Sequence, residues 1–288
     1  MIELDQKVIG IKTYKKIEFF YFYNSQMNTF KRYLYQDNFI DIVYDDEKLQ
    51  KKGRFLAHPI SYINQISALG KNDIKIYYDK ATVSKSLYSM LDSLDYLMFL
   101  DLEMTMPSYQ YSGKGYVTEM IQAGFIICDQ NFNEIYRYDK YIKPKINTNL
   151  SNRTIEFLKV NIDDFNNNAI SYDEFYDEFN SILYKYHPAI VVYGRNDQLV
   201  LSNSYKINNK NSLESKCRFI NLCQLLKNFY ELKNDPGLFK VYNTYLSHED
   251  NQVHDALDDS YATKEVFRIF KEDIKDKKYV DIIRNNMA

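Results

Sequence analysis

The rhythm of apolar and polar positions changes near residue 90. Before it, the runs VIGIKTYKKIEFFYFY, FKRYLYQDNFIDIVY, RFLAHPISYI and IKIYY are rich in β-branched and aromatic residues. Turn-like clusters at Asn24-Ser25, Asp45-Asp46-Glu47 and Gly70-Lys71-Asn72-Asp73 separate some of them. This predicts strands of a small antiparallel sheet or barrel. TVSKSLYSMLDSL then has helical spacing, with Thr82 or Ser84 as its expected N-cap. The expected organisation is a strand-rich N-terminal domain over 1–92, a larger domain over 93–275 and a C-terminal tail over 276–288.

The second region reads differently. YLMFLDLEM is a short apolar run ending in carboxylates, as expected of a buried strand whose end opens on a site. MIQAGFIICD and YRYDKYIKP continue it as a meander, and AIVVYG is a further apolar strand. LSNRTIEFLKV, SYDEFYDEFNSILYKYH, GLFKVYNTYL and DDSYATKEVFRIFKEDI have helical spacing, and SKCRFINLCQLLKNFYEL joins a short strand to a helix. Three strands followed by alternating helices and strands predict an α/β fold with a mixed central sheet flanked by helices.

Three short elements carry candidate chemistry. Asp101 and Glu103, two apart on a strand, share a face. Two such carboxylates would repel and raise each other's pKa, a penalty that a divalent cation with oxygen ligands, Mg²⁺ or Mn²⁺, removes. Asp197 follows the AIVVYG strand at the start of a helix, where the helix dipole alone would explain it. His254, one of four histidines (with His58, His187 and His248), precedes a helix that carries Asp259 on its first or second turn. Singly, each element has a plainer explanation as a surface pair, a helix-start charge or an exposed histidine.

Their order is DxE at a strand end, Asp after a strand, then HxxxxD at a helix start. This is the DEDDh pattern of the DnaQ-like exonucleases. The stretches FLDLEMTMP, VTEMIQAGFII, YIKPKINTNLSNRTIEFLKV, VVYGRNDQLVL, KCRFINLCQLLKNFY, GLFKVYNTYL and HDALDDSYATKEVF resemble the KapD-like, Eri-type exonuclease family over residues 95–272. The resemblance implies a ribonuclease H-like fold and 3′–5′ exonuclease activity on RNA or single-stranded DNA, tilted towards RNA. It implies metal-ligand roles for Asp101, Glu103, Asp197 and Asp259, two divalent cations (Mg²⁺ or Mn²⁺), a general-base role for His254, and contacts of Met104 and Thr105 to the terminal sugar. The family's spacing selects Asp259 over Asp258, leaving Asp258 and Asp255 as helix-start charges.

Charge adds an asymmetry. Residues 1–90 hold 14 Lys and Arg against 10 Asp and Glu, whereas the other 198 hold 23 against 29. An acidic domain that handles nucleic acid needs metal ions to offset phosphate repulsion. In the basic segment Lys15, Lys16, Lys31, Arg32, Lys51, Lys52 and Arg54 are interleaved with Phe19, Phe20, Tyr21, Tyr33 and Tyr35. That suits single-stranded nucleic acid, although an ordinary aromatic core with a solvated face accounts for it more simply. Three cysteines without a CxxC pair, an acidic N-terminus and no long apolar run lead to the expectation of a soluble protein of a reducing cytoplasm.

Overall fold

A computed structural model describes residues 2–13, 16–71, 73–247 and 254–287. Its N-terminal part contains strands β1 (Ile2–Glu3), β2 (Val8–Lys12) and β3 (Ile17–Tyr21), then helix α1 (Asn24–Phe30). Strands β4 (Phe39–Tyr44), β5 (Gln50–Lys52), β6 (Phe55–Leu69) and β7 (Ile74–Asp79) follow, and helix α2 (Lys80–Asp92) closes the region.

From Phe55 on, RFLAHPISYI proves to be the first three-fifths of the long strand β6. It pairs with β4, β5 and β7 in antiparallel fashion and with β3 in parallel, so it is the hub of the sheet. α1 occupies a stretch read as turn and strand. Its Met27 and Phe30 pack with Ile60, Ile63 and Ile66, while the Gln26 side chain accepts from the Tyr23 N–H and donates to the Ile60 carbonyl. Burial and this capping box override the β-propensity of the flanking aromatics. The N-cap of α2 is Asp79 rather than Thr82 or Ser84, because its carboxylate accepts from the Thr82 N–H at 2.9 Å.

The second part contains β8 (Tyr96–Met104), β9 (Met120–Asp129), β10 (Glu134–Tyr141), α3 (Asn152–Leu158), α4 (Ile162–Asn168) and α5 (Tyr172–Tyr186). It continues with β11 (Ala189–Val192), α6 (Asn196–Ile207), β12 (Arg218–Asn221), α7 (Leu222–Phe229), α8 (Leu238–Leu246), α9 (Ala256–Asp276) and α10 (Val280–Met287). The sheet runs β10-β9-β8-β11-β12, antiparallel through β10, β9 and β8 and parallel through β8, β11 and β12. This is the mixed sheet flanked by helices of the ribonuclease H-like fold. One face packs Phe99, Ile126 and Val191 against Val266, Phe267 and Phe270 of α9. The other packs Leu100, Phe125 and Ile190 against Phe175 and Phe179 of α5. Strands buried on both faces explain why YLMFL and AIVV are continuously apolar rather than alternating.

Residues 276–288 are more than a tail. Within them α10 buries Ile283 and Met287 against the core under α9. Arg284 on α10 lies 4.2 Å from the centroid of the Tyr62 ring on β6. Lys80 and Glu231 form a 2.8 Å ion pair with both side chains largely buried, and Lys271 pairs with Asp92 at 2.8 Å. These contacts tie the N-terminal sheet and α2 to the second part.

Candidate active site

The parallel strands β8 and β11 end on the same side, and the candidate residues gather there. Asp101 and Glu103 lie in the C-terminal half of β8, opposite Gly124 and Gln122 of β9. β11 leads through Gly194, whose φ of 113 suits glycine, into α6 with Asp197 in its first turn. The Asp197 carboxylate accepts from the Leu102 N–H at 3.1 Å, between the two β8 carboxylates. Asp197 is therefore more than a dipole-stabilised start residue, because its side chain turns inward and is buried.

α9 delivers the third carboxylate. Asp255 caps the helix, accepting from the Leu257 and Asp258 N–H groups, and its other oxygen accepts from the Gln122 side chain at 2.9 Å. A Cβ on Gly124 would lie 2.3 Å from the Ala256 carbonyl carbon and the Leu257 nitrogen, so only glycine lets the helix start press this closely onto β9. The Ser260 hydroxyl donates to the Gly124 carbonyl at 2.7 Å and fixes the rotation of the helix. Asp259 consequently points inward and is buried, while Asp258 is exposed.

His254 stands just before this cap in the left-handed region, at φ 57. Its ring lies against Phe157 of α3, with centroids 4.3 Å apart. One ligand atom each from Glu103, His254 and Asp259 lies within 4.8 Å of the others.

The electrostatics follow from this crowding. Burial, then the charges of Asp197, Asp259 and Glu103, hold the Asp101 carboxyl well above the usual range. Burial and the charges of Asp259 and Asp197 push Glu103 up to about 8. Burial and Asp259 push Asp197 up to about 7, against the lowering effect of the Leu102 N–H. Burial, then the nearby Lys159 charge, lowers His254. A set of converging buried carboxylates with oxygen donors fits hard divalent cations, which would remove the mutual repulsion.

The Thr105 hydroxyl accepts from the Glu119 N–H at 3.0 Å and is buried, while Met104 is half-buried. Glu119, another buried carboxylate, accepts from the backbone N–H groups of Lys145, Ile146 and Asn147 and so holds a loop. Sequence reasoning passed over Gly124, Gln122, Ser260 and Phe157. A glycine inside the apolar run MIQAGFIICD was the available signal of a close backbone approach. Nothing local to Phe157 marked it as a neighbour of His254.

This fold and site define a DEDDh-type 3′–5′ exonuclease. The chain belongs to the exonuclease family, whose profile matches residues 98–267. It is 25% identical over 185 residues to the probable 3′-5′ exonuclease KapD of Bacillus subtilis (strain 168), which spans 64% of this chain and 87% of that protein. In fold it is similar to the nuclease domain of 3′hExo, a DEDDh family member bound to rAMP, at 19% identity and a TM-score of 0.54, covering 62% of this chain and 94% of the other. Cell-death related nuclease 4 (CRN-4) superposes at 22% identity and a TM-score of 0.53, covering 63% and 64%.

Proposed function

We propose that this exonuclease removes nucleoside 5′-monophosphates from the 3′ ends of RNA or single-stranded DNA, with RNA favoured by the resemblance to Eri-type sequences. The observation that carries the reading is the grouping of Glu103, His254 and Asp259 ligand atoms within 4.8 Å of one another, with Asp197 bonded to the Leu102 N–H between the two β8 carboxylates, Asp101 and Glu103. These four carboxylates would hold two Mg²⁺ or Mn²⁺ ions, which when bound supply charge for the scissile phosphate and a water of lowered pKa. His254, with its lowered pKa, is neutral at pH 7 and takes the proton of the attacking water on a ring nitrogen. Water oxygen then bonds to phosphorus as the bond to the 3′-oxygen breaks, and the leaving oxygen takes a proton from solvent to give a shortened strand with a 3′-hydroxyl. Asp255 and Gln122 hold the loop-to-helix junction that carries His254 and Asp259. Met104 and Thr105 contact the terminal sugar in this reading.

The free cysteines Cys128, Cys217 and Cys223 suit a reducing cytoplasm, and among the described residues no helix is long and apolar enough to cross a membrane. Matched RNA and DNA oligonucleotides labelled at either end, incubated with Mn²⁺, Mg²⁺ or EDTA, test the activity. Stepwise shortening from the 3′ end that EDTA abolishes is the expected result. Endonucleolytic products or persistence in EDTA would overturn the reading.

A further inference from the structure

A groove of about 730 Å³ lies between the N-terminal sheet and the loop that joins α7 to α8. Lys7, Lys48 and Lys52 line it from one side and Lys233 from the other. Asp5 is the only carboxylate residue among its lining residues. Lys48 is engaged by Asp45 at 2.8 Å and Lys7 donates to the Asn24 side-chain oxygen, while among the described residues Lys52 and Lys233 form no ion pair. Lys52 rests 4.2 Å from the centroid of the Tyr21 ring, which fixes its ammonium group at the wall.

The Lys233 loop connects this groove to the catalytic end of the sheet. Three residues on, the Pro236 carbonyl accepts from the Tyr193 hydroxyl at 2.9 Å, and Tyr193 directly follows β11 and precedes the turn that delivers Asp197. Three residues of chain span at most about 10 Å. The loop thus runs from the groove towards the C-terminal end of β11.

We propose that this groove holds the phosphodiester backbone of a single-stranded nucleic acid whose 3′ end occupies the active site; the assignment rests on the exonuclease reading for its ligand. The charges fit this division of labour. The acidic remainder of the chain repels phosphate away from its metal-binding carboxylates, and the basic N-terminal region supplies the long-range attraction. Contact is chiefly through phosphates, because Tyr21 and Phe22 on the groove floor are only 4% and 2% exposed and the half-buried Tyr23 is the one lining ring open to a base. Of the basic and aromatic residues singled out in the sequence, Lys52 and Tyr21 line the groove. Lys16 and Arg54 are paired with Glu18 and Glu3, Phe20 is core, and Lys15 lies outside the described residues.

Two measurements on the full chain test this. The first is equilibrium binding of 5′-labelled oligonucleotides of about 4 and about 20 nucleotides, a range that spans the site sizes of single-strand grooves, over a salt series in EDTA. The second is degradation of the same strands with Mn²⁺. Lys233→Glu, in an exposed loop, and the double variant with Lys52→Glu are compared with the parent. The expected result is weaker binding of the long strand, a salt slope lower by about 1 per lysine removed, and a raised KM for the long strand with the short one unchanged. Unchanged long-strand binding and salt slope in both variants would overturn the groove while leaving exonuclease activity standing. A parent that degrades neither strand, yet loses binding on Lys233→Glu, would sink the exonuclease reading and keep the groove. If poly-glutamate displaces the long strand as well as a second oligonucleotide does, the groove belongs to an acidic protein partner and the proposal falls.

Discussion

The imidazole of His254 lies over the ring of Phe157, with centroids 4.3 Å apart and planes inclined by 31°. Phe157 sits on a different element and is 45% exposed, so it contributes little burial of its own. It acts as a backstop that fixes the histidine ring. Phe157→Ala should lower kcat by about 10²-fold, the scale set by misplacing a reacting group by about 1 Å. Melting temperature should barely change, and Phe157→Tyr should restore most of the rate. Steady-state kinetics alongside thermal melts would check this, and an unaltered kcat in the alanine variant would refute it.

His254→Ala should reduce turnover by about 10²–10⁴-fold while Mn²⁺ binding by calorimetry stays close to the parent's. The pH profile gives a second handle. Because the histidine pKa is lowered, its neutral form persists to more acidic pH than an unperturbed imidazole's. The acid limb of the rate profile should therefore fall below about pH 6.5.

The carboxylates make stability depend on pH in a definite direction. Glu103 and Asp197 rise to about 8 and about 7 in the fold. Their unfolded values are about 4, so the native state holds protons more tightly than the unfolded chain across this window. The stability linked to that protonation is present below about pH 4 and is lost as pH rises through the folded values. In EDTA the melting temperature should fall between pH 6 and pH 9 for this reason, and Mn²⁺ should raise it more at the alkaline end. Calorimetric scans at the two pH values decide the matter, and equal Mn²⁺ shifts would contradict it.

Asp197→Asn separates stability from activity. An asparagine side-chain oxygen can still accept from the Leu102 N–H, yet one of the crowded charges is gone. The variant should melt several degrees higher than the parent in EDTA and be inactive with Mn²⁺. A lower melting point in EDTA would show that charge repulsion does not govern the stability of the metal-free site.

Gly124→Ala should be costly for so small a change. The added methyl would sit 2.3 Å from the Ala256 and Leu257 backbone, and neither strand nor helix backbone can yield by rotamer change. A loss of about 1–3 kcal/mol is expected from the overpacking, measurable by urea unfolding, together with loss of activity as Asp259 shifts. Ser260→Ala, which removes only the hydrogen bond to the Gly124 carbonyl, should cost about 1 kcal/mol and retain partial activity.

The catalytic part was legible because its strands are buried on both faces and its carboxylates fall at strand and helix ends. Both facts are written in local pattern, whereas only the family resemblance selects Asp259 over Asp258, and the structure buries the first and exposes the second. What lay beyond the sequence depends on distant partners. α1 exists because Met27 and Phe30 meet β6, more than 25 residues away. Asp79 caps α2 from the end of a strand whose limit the pattern did not mark. Phe157 and His254 are brought together only by the fold, and the ion pair between Lys80 and Glu231 spans 151 positions.

That ion pair bears on how the molecule comes apart. Burial lowers the Lys80 pKa and raises that of Glu231, and the opposite charge of each partner offsets that cost for the other. Cutting the chain at residue 92 would strand Glu231 without its ammonium partner and bare the surface where α2 lies on α9. The N-terminal sheet is in this sense a lid over the underside of the nuclease rather than a bead on a string. Heating the intact protein should accordingly give a single cooperative transition, with the smaller part unable to melt first and leave a working enzyme behind.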